Sequence, residues 1–322
     1  MRPGIELALL SCAANWPGAE AMLWYPPADE RFKRWLSEIE GVRVQVETQR
    51  LPGSYGWNCK PMALLAALDA GADEAVWLDT DLLVTKNLDS VFNGLGADSL
   101  LVTEEPRSLR PDGGRPITVA WGFDPARSLP GLNSCVVRCT QRHRELLYQW
   151  SSLITSDSYR QAQSIHFRDR PVHMQGDQDV LTALMGAKRW ADVPVELLRN
   201  AEDIIQLWRS ETYPSQARLD HVRRGWVPYI VHAQRFKPWV ELPREIGRNR
   251  LRRKVLQLEV ELSPYRMHAK HFAADMLSPC GWLTRDSLLA KLSLLFTGRH
   301  PSCAALPIVR LNERRRSKLG VE

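Results

Sequence analysis

Two carboxylates set into the middle of an apolar run constrain this chain more than any other feature. Residues Glu74 to Phe92 read EAVWLDTDLLVTKNLDSVF, and Asp79-Thr80-Asp81 separates Ala75-Val76-Trp77-Leu78 from Leu82-Leu83-Val84. An apolar segment of this length reads as a buried strand, and ionised carboxylates at the edge of a core are costly unless they are paired or bound to a metal. Side chains two apart on an extended chain point to the same side. Asp79 and Asp81 can therefore converge on one cation beyond the end of the strand, and oxygen donors suit hard ions such as magnesium or manganese. The same triplet also suits a plain turn, because Asp is a favoured turn residue.

The surrounding sequence adds to this signal. Trp57 to Leu68 reads as a helix with Pro61 in its first turn and Gly71 just past its end. It delivers the chain into the strand that carries the aspartates. Further along stand Lys86-Asn87-Leu88-Asp89-Ser90-Val91-Phe92, Leu132-Asn133-Ser134-Cys135-Val136-Val137, Gly176-Asp177-Gln178-Asp179-Val180-Leu181, and His232 followed by Lys237-Pro238-Trp239. In this order, from about Ile5 to Trp239, the chain resembles glycosyltransferases of the GT-A fold, particularly family eight and its relatives. The resemblance implies an α/β doubly wound mixed sheet that holds the nucleotide of a nucleoside-diphosphate sugar donor. It also implies a divalent metal on Asp79, Asp81 and His232. A nitrogen ligand beside two carboxylates favours manganese over magnesium.

Roles for other residues follow from the same resemblance. Lys60 and Lys237 would reach the donor's phosphates, with Asp79 and Asn133 also on the donor. The family's usual Asn-x-Gly is Asn133-Ser134-Cys135 here, and four residues rather than five separate His232 from Lys237. In the Asp177-Gln178-Asp179 segment, the Gln178 carbonyl would support a cationic sugar in the transition state, and Asp177 or Asp179 would bind sugar hydroxyls. Asp177 also suits an N-cap for the helix Val180 to Met185. Family eight retains anomeric configuration, so retention is implied; a cytosolic transferase with the basic tail described below would suit a glycan or lipid-linked acceptor.

The rest of the chain predicts an ordered α/β protein. Ile5 to Cys12 reads as a first buried strand, Arg31 to Glu40 as an amphipathic helix and Val42 to Val46 as a second strand. With the Lys60 helix and the Trp77 strand this makes a β-α-β-α-β opening. Ligands in such sheets bind beyond the carboxyl ends of the strands. Leu100 to Thr103 and Val227 to Val231 are further strands, Gln141 to Thr155 a helix, and Glu104 to Pro130, with five prolines, a long irregular loop carrying Trp121. His166 and His173 lack ligand spacing and read as loop residues.

Charge divides the 322 residues at about position 239. Val240 to Glu322 holds 16 Lys and Arg against 8 Asp and Glu, whereas the first 239 residues hold 27 against 29. This predicts a GT-A-like domain over 1–239 and a basic, mostly helical extension over 240–322. Arg244, Arg248, Arg250, Arg252, Arg253 and Lys254 open the extension and Arg314-Arg315-Arg316-Ser317-Lys318 close it. Between them Trp282 to Phe296 has apolar residues at helical spacing, which suits an anionic membrane surface or packing onto the main domain. No nucleic-acid reading motif is present. The start lacks the pattern of a signal peptide and no stretch is long and apolar enough to span a membrane. The six cysteines include no Cys-x-x-Cys pair, so the expectation is a cytoplasmic protein, free or peripheral to a membrane, with reduced thiols.

Two other functions fit parts of the pattern. A nucleotidyltransferase making sugar nucleotides would carry a Gly-rich basic loop after its first strand, where this chain has SCAANWPG from Ser11 to Gly18. A non-catalytic binding or assembly protein of the same fold would tolerate the altered Asn133 and His232 segments.

Overall fold

The computed structural model describes residues 1–106, 109, 111–208, 212–235, 237–240, 250–298 and 300–318. The expected basic positions Arg244 and Arg248 lie outside the described residues, as do the side chains of Arg250, Arg316, Ser317 and Lys318.

The described chain contains nine strands: β1 (Ala19–Trp24), β2 (Val42–Glu47), β3 (Glu74–Leu78), β4 (Leu82–Val84), β5 (Leu100–Glu104), β6 (Leu132–Thr140), β7 (Val195–Leu198), β8 (Ile204–Gln206) and β9 (Ile230–His232). They form a parallel pair β1-β2, a mixed sheet in the order β3-β6-β5-β7 and a second mixed sheet in the order β4-β9-β8. This is the expected α/β class with mixed sheets. β3 and β4 belong to different sheets, and the turn between them is Asp79-Thr80-Asp81.

The opening differs from the sequence expectation. Ile5 to Cys12 is not a strand but lies within the helix Arg2–Asn15, and the first strand is Ala19–Trp24. The helix is rich in Leu and Ala, which are good helix formers, and it has Pro3 in its first turn. It is buried on several sides, so its apolar run shows no clear periodicity, and a buried helix then cannot be told from a buried strand. The helix abuts the Asp79–Asp81 turn: a Cβ on Gly4 would lie 2.6 Å from the Thr80 carbonyl oxygen and 2.8 Å from the Trp239 ring. Glycine there permits the close approach.

Two further expectations change. The segment from Glu104 to Pro130 is not wholly irregular but includes the helix Arg115–Ala120; Trp121 beside it donates its Nε1–H to the His173 carbonyl at 2.7 Å. Trp282 to Phe296 is two helices, Gly281–Thr284 and Leu288–Thr297, because Ser287 caps the second with its hydroxyl, accepting from Ala290 N–H at 3.2 Å. All six cysteines are free.

The helices after residue 250 are packed against the rest. Tyr265, Ala269 and Leu283 are buried with Leu7, Leu83 and Val231, and Ser278 donates to Glu6 through both N–H and Oγ, at 2.9 and 2.6 Å. His268 is mostly buried near His271 and His300, and burial, aided by these two neighbours, pulls its pKa from 6.5 to about 4. Because the folded pKa is depressed, this histidine's contribution to stability is complete above the unfolded pKa near 6.5 and is lost as pH falls towards 4. The loss is about 3 kcal/mol. Denaturant unfolding at pH 7 and pH 4.5 should show a smaller acid loss for His268→Gln than for the wild type, and equal losses would refute this assignment.

Candidate active site

The site is built where the two mixed sheets meet. β3 pairs with β6 and β4 with β9, so the turn between β3 and β4 faces residues from both partners. Asp79 N–H donates to the Cys135 carbonyl at 2.9 Å, and Ala233 N–H donates to the Asp81 carbonyl at 3.0 Å. These bonds fix the turn at both ends. Leu82 stands opposite His232 in the β4–β9 register, which brings the imidazole beside Asp81. The Asp81 Oδ1 to His232 Nε2 distance is 3.3 Å.

Ligand atoms from Asp79, Asp81 and His232 all lie within 4.8 Å of one another. His232 is 3% exposed and its Nδ1 has no hydrogen-bond partner. Two hard carboxylates and one imidazole, which turns its Nε2 towards Asp81, form a donor set suited to a divalent ion. The residues therefore fit the metal that the sequence suggested.

Two lysines supply positive charge. Lys60, at the start of the helix Lys60–Asp69, is 6% exposed. Its Nζ lies 3.0 Å from Asp79 Oδ1 and 3.6 Å from Asp177 Oδ2, and donates to Ser134 Oγ at 2.8 Å. Burial opposes its charge, but Asp177 and Asp79 outweigh this and raise its pKa above the usual lysine value. Lys237 Nζ donates to Asp81 Oδ2 and, at 2.8 Å, to the Gln234 carbonyl. Burial alone would raise the Asp81 pKa; His232 and then Lys237 overcome that and hold it well below the usual carboxylate range. His232 moves the other way. Burial lowers its pKa, but Cys135 and Asp81 raise it to about 10.

The Asp177-Gln178-Asp179 segment lies across this cluster at the start of the helix Asp177–Gly186. Asp177 is not the N-cap, as the sequence suggested; Gly176 is, and its N–H donates to Asp179 Oδ2 at 2.8 Å. Glycine lacks a capping side chain, so the third helical residue reaches back instead. Asp177 is thus turned inward, accepting from Ser134 Oγ at 3.1 Å, and burial raises its pKa against the pull of Lys60. Gln178 Nε2 donates to Glu105 Oε1 at 2.9 Å. A carboxylate only accepts, so this bond fixes which end of the amide is which and turns the Gln178 carbonyl away from Glu105.

The structure brings together Lys60, Asp79, Asp81, Asp177, His232 and Lys237. Asn133 is turned onto its own backbone, Oδ1 accepting from Cys135 N–H at 3.0 Å, and its neighbour Ser134 touches the cluster. Sequence reasoning missed Ser134, Glu105 and Cys135. Glu105 follows β5 directly, and the rule that sites lie beyond strand ends would have found it. No sequence pattern marks Ser134, which depends on the β3–β6 pairing.

No protein-family model matches this chain, and no curated protein sequence matches it. Solved structures do. The galactosyltransferase LgtC, in complex with donor and acceptor sugar analogues, aligns at 15% identity over 87% of this chain and 95% of that one, with a TM-score of 0.52. The glycosyltransferase GlyE of Streptococcus pneumoniae aligns at 16% identity over 84% of this chain and 61% of that one (TM-score 0.43). Mouse xyloside xylosyltransferase 1 aligns at 18% identity over 72% and 91% (TM-score 0.40). The chain has the GT-A fold and resembles glycosyltransferases of family eight.

Proposed function

We propose that the protein is a metal-dependent glycosyltransferase that moves a sugar from a nucleoside-diphosphate donor to an acceptor hydroxyl, with retention. The observation that carries this is the convergence of Asp79, Asp81 and His232 ligand atoms within 4.8 Å on a GT-A fold. These three residues would hold a divalent ion, manganese in preference to magnesium, which would offset charge on the departing nucleoside diphosphate. Lys60 and Lys237 bring further positive charge to the same oxygens. Asp79 lines the donor, while Asn133, turned onto its own backbone, supports the strand beside it. Gln178 presents its amide carbonyl to the anomeric carbon as positive charge develops there, and Asp177 and Asp179 orient sugar hydroxyls.

Glu105 is a positioning residue in this scheme, acting through Gln178. Glu105→Gln keeps an acceptor for the Gln178 amide, whereas Glu105→Leu removes it. The expected outcome is near-normal kcat for Glu105→Gln and a loss of about tenfold to a hundredfold in kcat, with donor KM little changed, for Glu105→Leu. A Glu105→Leu, Gln178→Ala double variant should be no slower than Gln178→Ala alone. Additive losses would show that Glu105 acts elsewhere.

Chemistry is assigned to residues 1–239, and the segment 240–322 is assigned to the acceptor's surroundings, a glycan or lipid-linked acceptor at an anionic membrane surface on the cytoplasmic side. The division is one of function, since Tyr265 and Leu283 share a core with Leu83 and Val231. No described helix is long and apolar enough to cross a membrane.

Incubation with a panel of nucleoside-diphosphate sugars and manganese should release nucleoside diphosphate from one of them, slowly without an acceptor. One observation favours a second reading, a non-catalytic protein of this fold: the Lys237 ammonium already neutralises Asp81. Absence of any donor turnover, with or without added glycan acceptors, would favour that reading.

A further inference from the structure

The helix Leu288–Thr297 carries an apolar stripe that no described residue covers. Leu288 is 74% exposed, Leu289 54%, Leu292 42%, Leu295 79% and Phe296 88%. At roughly 100° per residue these five side chains fall within one continuous arc of the helix. The opposite arc is the packed one. Ala290 is fully buried with Leu262, Ala304, Ala305 and Val309, Leu294 packs against that group, and Ser293 Oγ donates to the Ala304 carbonyl at 3.1 Å. A small core thus holds the helix firmly with its greasier side outward. A soluble monomer rarely exposes so many large apolar side chains together, and such a patch marks an interaction surface.

The charge around the stripe selects its partner. Lys291 falls at the edge of the apolar arc, and Arg285 precedes the helix; both are exposed. Exposed Arg252, Arg253 and Lys254 lie on the helix Arg250–Glu261, and exposed Arg310, Arg314 and Arg315 on the helix Leu306–Lys318, which supplies Ile308 and Val309 to the same small core. The nearby acids are engaged within the protein: Glu261 accepts from Ser287, Glu313 from Ser215, and Asp286 pairs with Arg266 and Lys270. An apolar stripe among bases fits an anionic bilayer, where the side chains enter the acyl boundary and the bases meet phosphates. A second copy of the chain would bring like charges face to face. A helix of 10 residues is about 15 Å long, too short to span a bilayer and suited to lying in its plane.

We infer that Leu288, Leu289, Leu292, Leu295 and Phe296 insert into the surface of an anionic lipid membrane. The inference deepens the membrane reading above and rests on it, but its failure is separable from failure of the chemistry. The test is co-sedimentation of the full chain with vesicles of phosphatidylcholine containing phosphatidylglycerol, and with phosphatidylcholine alone, at low and high salt. The wild type should bind the anionic vesicles and release only in part at high salt. Leu295→Ser, Phe296→Ser, at exposed positions the fold does not need, should partition about a hundredfold more weakly. Donor hydrolysis in solution should be the same for both proteins. No binding of the wild type to anionic vesicles overturns the inference. So does equal binding of the double variant, which would leave charge as the sole cause, or self-association of the wild type that the double variant loses. Equal absence of donor hydrolysis in both proteins would refute the enzymatic reading while leaving the vesicle result to stand by itself.

Discussion

Asp81→Asn is expected to lower kcat/KM for sugar transfer by about a thousandfold. The carboxylate has two neighbours that depend on its charge, His232 Nε2 at 3.3 Å and the Lys237 ammonium. A carboxamide keeps the shape of the side chain but offers a neutral oxygen to a divalent ion. Metal-borne stabilisation of a leaving diphosphate is worth several kcal/mol, and about 4 kcal/mol corresponds to a factor near a thousand. Steady-state kinetics over a manganese titration would measure it. Asp81→Asn should need far more metal and still fall short of the wild-type rate. Wild-type kinetics in the variant would remove Asp81 from the site.

The second large effect concerns stability. Lys60 lies between Asp79 and Asp177; Lys60 and Asp177 are buried and Asp79 is partly exposed. Lys60→Met removes the cation and leaves two carboxylates facing each other in a region of low dielectric. Breaking one partner out of a buried ionic group costs about 3–5 kcal/mol. The cost should depend on pH. Without Lys60 the Asp177 pKa, already raised by burial, rises further, and a group whose folded pKa lies above its unfolded value contributes most below the unfolded pKa and loses that contribution as pH rises. The deficit of Lys60→Met against the wild type should therefore shrink from pH 8 to pH 5. Adding Asp177→Asn should recover much of it at pH 8. A Lys60→Met protein as stable as the wild type at every pH would mean that the three charges do not interact as described.

Much of the site was legible in the sequence because its strongest constraint is local. Asp79 and Asp81 interrupt an apolar run, and buried charge in such a place demands a partner. His232 and Lys237 were legible only through the resemblance; spacing alone says nothing about a contact across 151 residues, which the β4–β9 register creates by setting Leu82 opposite His232. Glu105 could have been found by its place just beyond β5, whereas Ser134 lies inside β6 and its role exists only once β3 and β6 pair. The first helix shows the complementary failure. Ile5 to Cys12 is apolar enough to be either a strand or a buried helix, and its true state is decided by packing against the Asp79–Asp81 turn, where Gly4 approaches Thr80. The apolar stripe of Leu288–Thr297 was visible as helical spacing, but spacing does not say which arc faces out. Burial of Ala290 and Leu294 against the last helix settles that orientation.

The decisive measurement is ligand-dependent thermal stability of the wild type and Asp81→Asn, with a panel of nucleoside-diphosphate sugars, each with manganese and with chelator. A ligand that binds only the folded state, present at about 100 times its dissociation constant, adds about 2.7 kcal/mol of stability. One donor should stabilise the wild type in manganese, lose most of that effect in chelator, and fail to stabilise Asp81→Asn under either condition. Stabilisation that is equal with and without metal, or equal in the two proteins, would contradict a metal-held donor at Asp79, Asp81 and His232.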